Sequence, residues 1–152
     1  MNNQDIDAVI TKFENELPKQ YGVHKTVTDS PPKRSTGIYT ELPESDNWRK
    51  ASFVITSQNH ANADLGEIDI YFLLETNYVY FHWISVEEQF QQNGHGKQLC
   101  TTAVDAITSC IDSPKIYVHP ATNVSISLFS SIGFTKTNAS PKGSISNWYT
   151  YP

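Results

Sequence analysis

The stretch Tyr78–Leu99, YVYFHWISVEEQFQQNGHGKQL, decides the fold of this 152-residue chain. Residues 78–86 are almost all aromatic or β-branched and lack apolar–polar alternation, which predicts a strand that is covered on both faces. Gly94 and Gly96 follow in a polar loop, and apolar residues at helical spacing begin at Leu99. A strand that leads through a glycine loop into a helix start suits phosphate binding, because backbone N–H groups and the helix dipole face the anion there.

Two motifs in this part of the chain resemble those of a known family. The run Gln91-x-x-Gly94-x-Gly96 resembles the Q/R-x-x-G-x-G/A signature of the GNAT superfamily of N-acetyltransferases, in which this loop holds the pyrophosphate of acetyl-CoA. The segment 127–134, SLFSSIGF, looks like the second signature of the family, a helix that ends in L-Y-x-x-x-G-F. The resemblance covers about residues 50–137.

Other glycine motifs fit the loop less well. A dinucleotide-binding fold requires G-x-G-x-x-G/A, and Leu99 occupies the third small position. A nucleoside-triphosphate loop requires Gly-Lys-Ser/Thr, and here Lys97 is followed by Gln98. For the two glycines alone, a tight turn that closes onto a helix is the structural alternative.

The remaining periodicity predicts an α/β (α+β) fold in one domain, residues 1–152. Three antiparallel strands should precede the glycine loop, and a strand–helix–strand crossover should follow it with parallel pairing. The resemblance implies a GNAT-like mixed, mostly antiparallel central sheet with a splayed parallel strand pair and flanking helices. The predicted helices are 4–17, 96–111 and 123–132, and the predicted strands are 23–27, 38–42, 51–56, 67–74, 78–86, 115–119, 134–137 and 146–151.

Composition excludes several classes of partner. The formal net charge of −5 argues against a nucleic-acid surface, which is normally basic. No apolar run approaches the ~20 residues that span a bilayer, and the polar start MNNQDID is not a signal peptide. Cys100 and Cys110 fall on one predicted helix, roughly 15 Å apart, which is too far for a disulfide. These features predict a cytoplasmic protein without a membrane or nucleic-acid partner.

The resemblance implies a co-substrate and the residues that hold it. The co-substrate is acetyl-CoA, and no metal is expected. Its pyrophosphate is expected at the backbone of the glycine loop, and its pantetheine arm at the edge of the central strand. The expected contacts are Gln91, Gln92, Asn93, Gly94, His95, Gly96 and Lys97 in the loop and Ile84, Ser85 and Val86 on the strand.

Acetyl transfer to an amine also requires a group that removes the amine proton. On a regular strand Tyr80, His82, Ile84 and Val86 share one face, and His82 is the best candidate because an imidazole with a pKa of about 6.5 accepts protons near neutrality. The alternative is a structural histidine within an aromatic cluster. Carboxylates at the strand end and on the preceding strand are further candidates, namely Glu87, Glu88, Glu67 and Asp69.

The second signature departs from the family pattern at two positions. Relatives often carry a tyrosine four residues before the Gly-Phe pair, close to the cofactor sulfur, and Phe129 stands there. Phe129 has no proton for the departing thiolate. The asparagine position of the family falls on Thr122, and Asn123 lies one residue away. Phe129 and Asn123 are nevertheless both expected to contact the cofactor.

Three functions are compatible with these patterns. The first is an acyl-CoA-dependent N-acyltransferase, which transfers acetyl to a primary amine by direct attack. The second is a regulatory module that binds acyl-CoA without efficient turnover, and the third is a nucleotide-binding or structural domain. The sequence does not identify the amine, which could be a small molecule or a protein group, and both a monomer and a homodimer are compatible with it.

Overall fold

The computed structural model describes residues 1–32, 42–87, 94–137 and 148–152, except for the side chains of Trp83 and Ile84. Its helices are α1 (Asn3–Glu16), α2 (His95–Cys110) and α3 (Asn123–Ser131). Its strands are β1 (Tyr21–Thr28), β2 (Trp48–Ser57), β3 (Ala63–Leu73), β4 (Tyr78–Val86), β5 (Lys115–Val118), β6 (Thr135–Lys136) and β7 (Tyr149–Tyr151). The strand predicted at 38–42 lies mostly outside the described residues.

The strands form one sheet in the order β1-β2-β3-β4-β5-β7-β6. Neighbouring strands are antiparallel except for β4 and β5, which are parallel because α2 crosses over between them. The predicted mixed, mostly antiparallel sheet with one parallel pair and flanking helices is therefore confirmed.

The first helix starts and stops where local chemistry requires. Asn2 is its N-cap and forms a capping box with Asp5, in which the Asp5 N–H donates to the Asn2 side chain at 3.0 Å and the Asn2 N–H donates to the Asp5 carboxylate at 2.7 Å. The helix ends at Glu16, and its C-cap Leu17 is extended because the following Pro18 disfavours helical backbone in the residue before it. Its buried stripe comprises Ile6, Val9, Ile10 and Phe13.

The two faces of the sheet carry different cores. One face packs against α1 and α2 through a large apolar cluster that includes Phe53, Ile68 and Phe81. The other face carries a smaller, mostly aromatic cluster of Leu42, Trp48, Tyr71, Leu73, Tyr80 and Trp148. Because β4 contributes to both clusters, it is buried on both faces as predicted.

The β2–β3 hairpin is longer than predicted. Residues 57–66 are polar and were expected to form a connection, but Thr56 pairs with Asp64 and Ser57 with Ala63. The chain reverses instead within a one-turn 3₁₀ helix, Gln58–His60, and two residues with positive φ, Ala61 and Asn62. Tight reversal of this kind lets the strands continue pairing into polar sequence.

The central strand is not regular. In its pairing with β3, Ile70 lies opposite Phe81 and Asp69 lies opposite Trp83, so His82 is an extra residue and forms a β-bulge. Beyond the bulge the faces exchange, and Val86 packs against the same apolar cluster as Phe81. The expectation that His82 and Val86 share one face is therefore wrong, because a bulge shifts the two-residue alternation by one.

Candidate active site

The glycine loop ends at the N-terminus of α2. Gly94 is the N-cap residue and has a φ of 79°, in the left-handed region that favours glycine. Among the described residues no side chain caps this end, and the first helical hydrogen bond runs from the Gln98 N–H to the Gly94 carbonyl at 3.0 Å. The N–H groups of the preceding residues in the first turn have no partner within the helix. Phosphate binding at this helix start stays a prediction.

Gly96 lies where α2 meets both the central strand and α3. A Cβ at this position would lie 3.5 Å from Leu128 Cδ2 and 3.7 Å from Val86 Cγ2, which are ordinary contact distances. The packing of the protein therefore does not require a glycine here. A missing side chain in the first helical turn instead leaves the backbone open to close approach by a ligand.

His95 is tied to the edge of the sheet. Its Nδ1 lies 2.6 Å from the hydroxyl of Tyr21, and the two rings meet edge to face with centroids 5.6 Å apart. Tyr21 is the first residue of β1 and is buried. Sequence analysis did not find Tyr21, because no local pattern connects residues 74 positions apart. The contact fixes the first residue of α2 against the fold.

The parallel pairing of β4 and β5 is short. Tyr78 pairs with Lys115 and the register continues to Phe81 opposite Val118, where it ends. The bulge at His82 begins at this point. β5 also ends at Val118, and a bulge bends the strand that carries it, so the pairing stops here.

A cavity of about 220 Å³ lies where the pairing of β4 and β5 ends. Phe81 and Phe129 line it from the helical side, and His82 and His119 line it from the other face of the sheet. The remaining lining residues are Val118, Pro120, Ala121, Thr122 and Ser125. Because residues of both faces line it, the cavity lies in the gap between the strands.

His82 is the predicted base candidate that the structure places at this cavity. Its ring meets Tyr71 edge to face at 5.5 Å and lies 5.8 Å from the ring of Tyr80, whose hydroxyl is 3.5 Å from His82 Nδ1. Glu87 is exposed at the end of β4, where its N–H donates to the Leu65 carbonyl at 2.8 Å. The structure thus brings His82, and not Glu87, to the gap.

The carboxylates of β3 form a separate polar cluster on the same sheet face as Tyr71. Asp69 is buried, accepts a hydrogen bond from the Ser52 hydroxyl at 2.6 Å and lies 3.7 Å from the Lys50 ammonium. Burial raises the pKa of Glu67, and the neighbouring Asp69 raises it further, while Lys50 lowers it. Glu67 therefore binds a proton more readily than an ordinary glutamate.

The start of α3 contributes hydroxyl groups to the cavity. Thr122 is the N-cap and forms a capping box with Ser125, each accepting a backbone hydrogen bond from the other at 3.1 Å. Both residues line the cavity. Asn123 is exposed as the first residue of the helix and is not among the residues that line this cavity. The position that aligned with the asparagine of the family, Thr122, is thus the one at the gap.

Phe129 lines the cavity and belongs to the core as well. It is 2% exposed and packs against Phe134 and Phe81, with ring centroids 5.3 Å and 6.2 Å away. Its position beside the gap agrees with the alignment of the second signature. The cavity wall therefore has a phenyl ring at this position.

Several predicted contacts cannot be placed. Gln91, Gln92 and Asn93 lie outside the described residues, as does the side chain of Ile84. Ser85 and Val86 are half-buried at the end of β4, and Lys97 is exposed on the first turn of α2. The assignments of these residues to the cofactor remain predictions.

Cysteines and metal-ligating side chains could in principle support other chemistry. Cys100 and Cys110 are free thiols, and burial raises the pKa of Cys100 to about 12, so Cys100 is not a nucleophile at neutral pH. Within the described ranges, no group of three or more His, Cys, Asp or Glu residues is arranged to hold a metal ion. In the same ranges, no helix is both long and apolar enough to cross a membrane.

Similarity to solved acetyltransferase structures confirms the predicted resemblance at the level of the fold. A family model described as FR47-like protein matches residues 70–141. No match to the sequence is found among curated proteins.

Solved structures show the same architecture. The chain is similar to an acetyltransferase from Thermus thermophilus, with 18% identity, a TM-score of 0.50 and coverage of 68% of this chain and 64% of that one. It is also similar to the dodecameric spermidine N-acetyltransferase from Vibrio cholerae, with 17% identity, a TM-score of 0.51 and coverage of 66% and 62%. A third match is the NatC complex bound to Gag peptide and CoA, with 15% identity, a TM-score of 0.51 and coverage of 66% and 70%. The matched region thus spans less than two thirds of the length of the first two structures.

Proposed function

We propose that this protein is an acetyl-CoA-dependent N-acetyltransferase that transfers the acetyl group to a primary amine by direct attack. One observation carries the proposal: the glycine-led start of α2 lies against the end of β4, and the gap between β4 and β5 opens four residues back along the same strand. Four strand residues span about 13 Å. An extended ligand with an anionic group at one end and a reactive group at the other fits this arrangement.

The residues of the chain divide the work of holding such a ligand. The backbone N–H groups after Gly94 bind the pyrophosphate, aided by the helix dipole. The backbone of Ser85 and Val86 receives the amides of the pantetheine arm. The thioester then reaches the gap, where His82 accepts the proton that the amine loses.

Direct transfer is favoured over an acyl-enzyme intermediate. Cys100 is fully buried and its pKa is raised to about 12, and the described residues that line the gap include neither cysteine nor lysine. Thr122 and Ser125 do carry hydroxyl groups there, but these already take part in the capping box of α3. The amine is therefore expected to attack the thioester itself.

The experiment that tests the proposal is calorimetric titration with CoA of the wild type and of Gly96→Val. The valine should cover the backbone donors, and losing one or two hydrogen bonds to a charged group weakens binding by about 10- to 100-fold or more. Thr108→Val is the matched control, because it places the same side chain on an exposed position in the last turn of the same helix. Its CoA affinity should equal that of the wild type.

Gly96→Ala guards against a folding defect in the valine variant. A Cβ at this position makes only ordinary contacts, so the alanine variant should melt like the wild type while binding CoA less tightly. Undiminished CoA affinity in a folded Gly96→Val protein, or no CoA binding by the wild type, would contradict the proposal. A panel of amines, with release of free CoA thiol as the readout, then tests transfer.

A further inference from the structure

Two histidines directly follow the last paired residues of the parallel strands. Tyr80 pairs with Tyr117 and Phe81 with Val118, which is the last pair of β4 and β5. The next residues along the two strands are His82 and His119. Both line the cavity, His82 from β4 and His119 from the residue directly after β5.

The two imidazoles lie on the same face of the sheet, and both contact one aromatic cluster formed by Trp148 and Tyr80. The His119 ring meets Trp148 edge to face at 5.0 Å, Trp148 meets Tyr80 at 5.6 Å, and the Tyr80 ring lies 5.8 Å from His82. Trp148 is 0% exposed and Tyr80 is 2% exposed. Rings buried to this degree have little freedom to reorient, so both histidines are held against a firm surface.

The proposed reaction needs a second proton transfer that Phe129 cannot perform. Breaking the thioester releases a thiolate, and Phe129 has no proton to donate. Among the described residues that line the gap, the titratable side chains are His82 and His119. If His82 accepts the proton of the amine, His119 is the group that remains for the thiolate.

We propose that His119 is a catalytic residue that protonates the departing CoA thiolate, opposite His82; this rests on the proposed function. The amine nitrogen forms a bond to the carbonyl carbon while its proton passes to His82. The carbon–sulfur bond then breaks, its electron pair stays on sulfur, and sulfur takes a proton from the His119 imidazolium. His82 later loses its proton to water and His119 regains one, so the cycle closes without another reactant.

The kinetic test compares two acyl donors in single turnovers. Acetyl-CoA is compared with its analogue that carries selenium in place of sulfur, with hydroxylamine as a small acceptor. The uncatalysed rate of each donor is subtracted, because hydroxylamine cleaves thioesters and selenoesters without an enzyme. A selenol is much more acidic than a thiol, so its anion leaves without needing a proton. His119→Gln should slow transfer from acetyl-CoA by ~10²-fold, the lower end for a general acid, and slow the selenium donor by less than about threefold.

The ratio of the two rates is measured within one variant, so it does not depend on how much of that variant is folded. His24→Gln is the matched control, because His24 is exposed on β1 at the far edge of the sheet. Its ratio should match that of the wild type. Equal slowing of both donors by His119→Gln, or no slowing of either, would overturn the proposal.

A second measurement needs no acceptor. Nuclear magnetic resonance of protein labelled in the histidine rings is recorded with CoA and with desulfo-CoA, which lacks the sulfur atom. The His119 ring resonances should move with CoA and move clearly less with desulfo-CoA. Identical changes with both ligands would refute the contact with sulfur. Failure of CoA to bind the wild type at all would instead refute the proposed function.

Discussion

The N-terminus of α2 and the gap between β4 and β5 are built on different principles. The helix start is formed by backbone groups. Gly94 has a φ of 79°, Gly96 leaves space beside the backbone, and no side chain of the described residues caps the end. At the gap the work falls to side chains that come from separate elements, His82 from β4, His119 after β5 and Phe129 from α3. The first region is encoded within a few consecutive residues, whereas the second exists only after the sheet has formed.

This difference has a consequence for mutation. Under the proposed function, a change at the helix start should alter CoA affinity, because the backbone donors would bind the ground state and the transition state alike. A change at the gap should alter the rate and leave affinity nearly intact, because proton transfer occurs only during reaction. Substitutions at His82 and Phe129 test this separation.

The largest effect is expected for His82→Gln. Loss of the general base should lower the maximal rate by ~10²–10⁴-fold while CoA affinity stays within a few-fold. The acid limb of the pH–rate profile should disappear with it. Stopped-flow transfer assays and calorimetry on the same preparation measure the two quantities. A rate loss below about threefold with an unchanged acid limb would identify His82 as a structural residue that packs against Tyr71 and Tyr80.

An intermediate effect is expected for Phe129→Tyr. The new hydroxyl should point toward the gap, where the hydroxyls of Thr122 and Ser125 also lie, so the variant should fold with a loss below about 1 kcal/mol. A proton donor beside the sulfur should leave transfer unchanged or accelerate it, and it should partly rescue His119→Gln. Melting curves with and without CoA and single-turnover rates provide the measurements.

The opposite outcome for this variant is equally clear. If the hydroxyl is directed into the cluster with Phe81 and Phe134, it lacks a partner and costs roughly 1–3 kcal/mol. A large drop in Tm that CoA does not restore, without any change in rate, would show that Phe129 serves the core alone. Phe129 would then line the cavity without taking part in the reaction.

The contrast between the two regions also explains what the sequence could predict. The β4–α2 transition was predicted within one residue, since a buried strand, a pair of glycines and helical periodicity are local signals. The bulge at His82 was not, because the residues around it read as an ordinary strand and only the pairing with Asp69 and Ile70 reveals it. His119 was also missed, because its place beside His82 depends on the register between two strands.

A similar argument applies to the contact between Tyr21 and His95. A tyrosine at the start of an edge strand carries no sign of a role, and a loop histidine has many uses. The distance of 2.6 Å between them follows from how β1 and α2 are placed by the whole sheet. Sequence patterns thus predicted which elements form and where backbone donors occur, but not which distant side chains meet.

The smallest effect is expected for Glu67→Gln, which tests whether the polar face holds a carboxyl group at a cost to stability. Burial, and then Asp69, raise the pKa of Glu67 above its usual 4.5. A raised pKa in the folded state means that the stability contribution is fully present below pH 4.5 and is lost as the pH rises through the folded pKa. Glutamine removes this loss, so the variant should melt about 1–2 °C higher than the wild type at pH 7 and equally at pH 4.

Asp64→Asn removes one negative charge from an exposed position on the same strand and should show no such pH-dependent difference. If the Tm of both variants rises equally at pH 7, the rise reflects the lower net negative charge, and the surroundings of Glu67 do not destabilise its charged form.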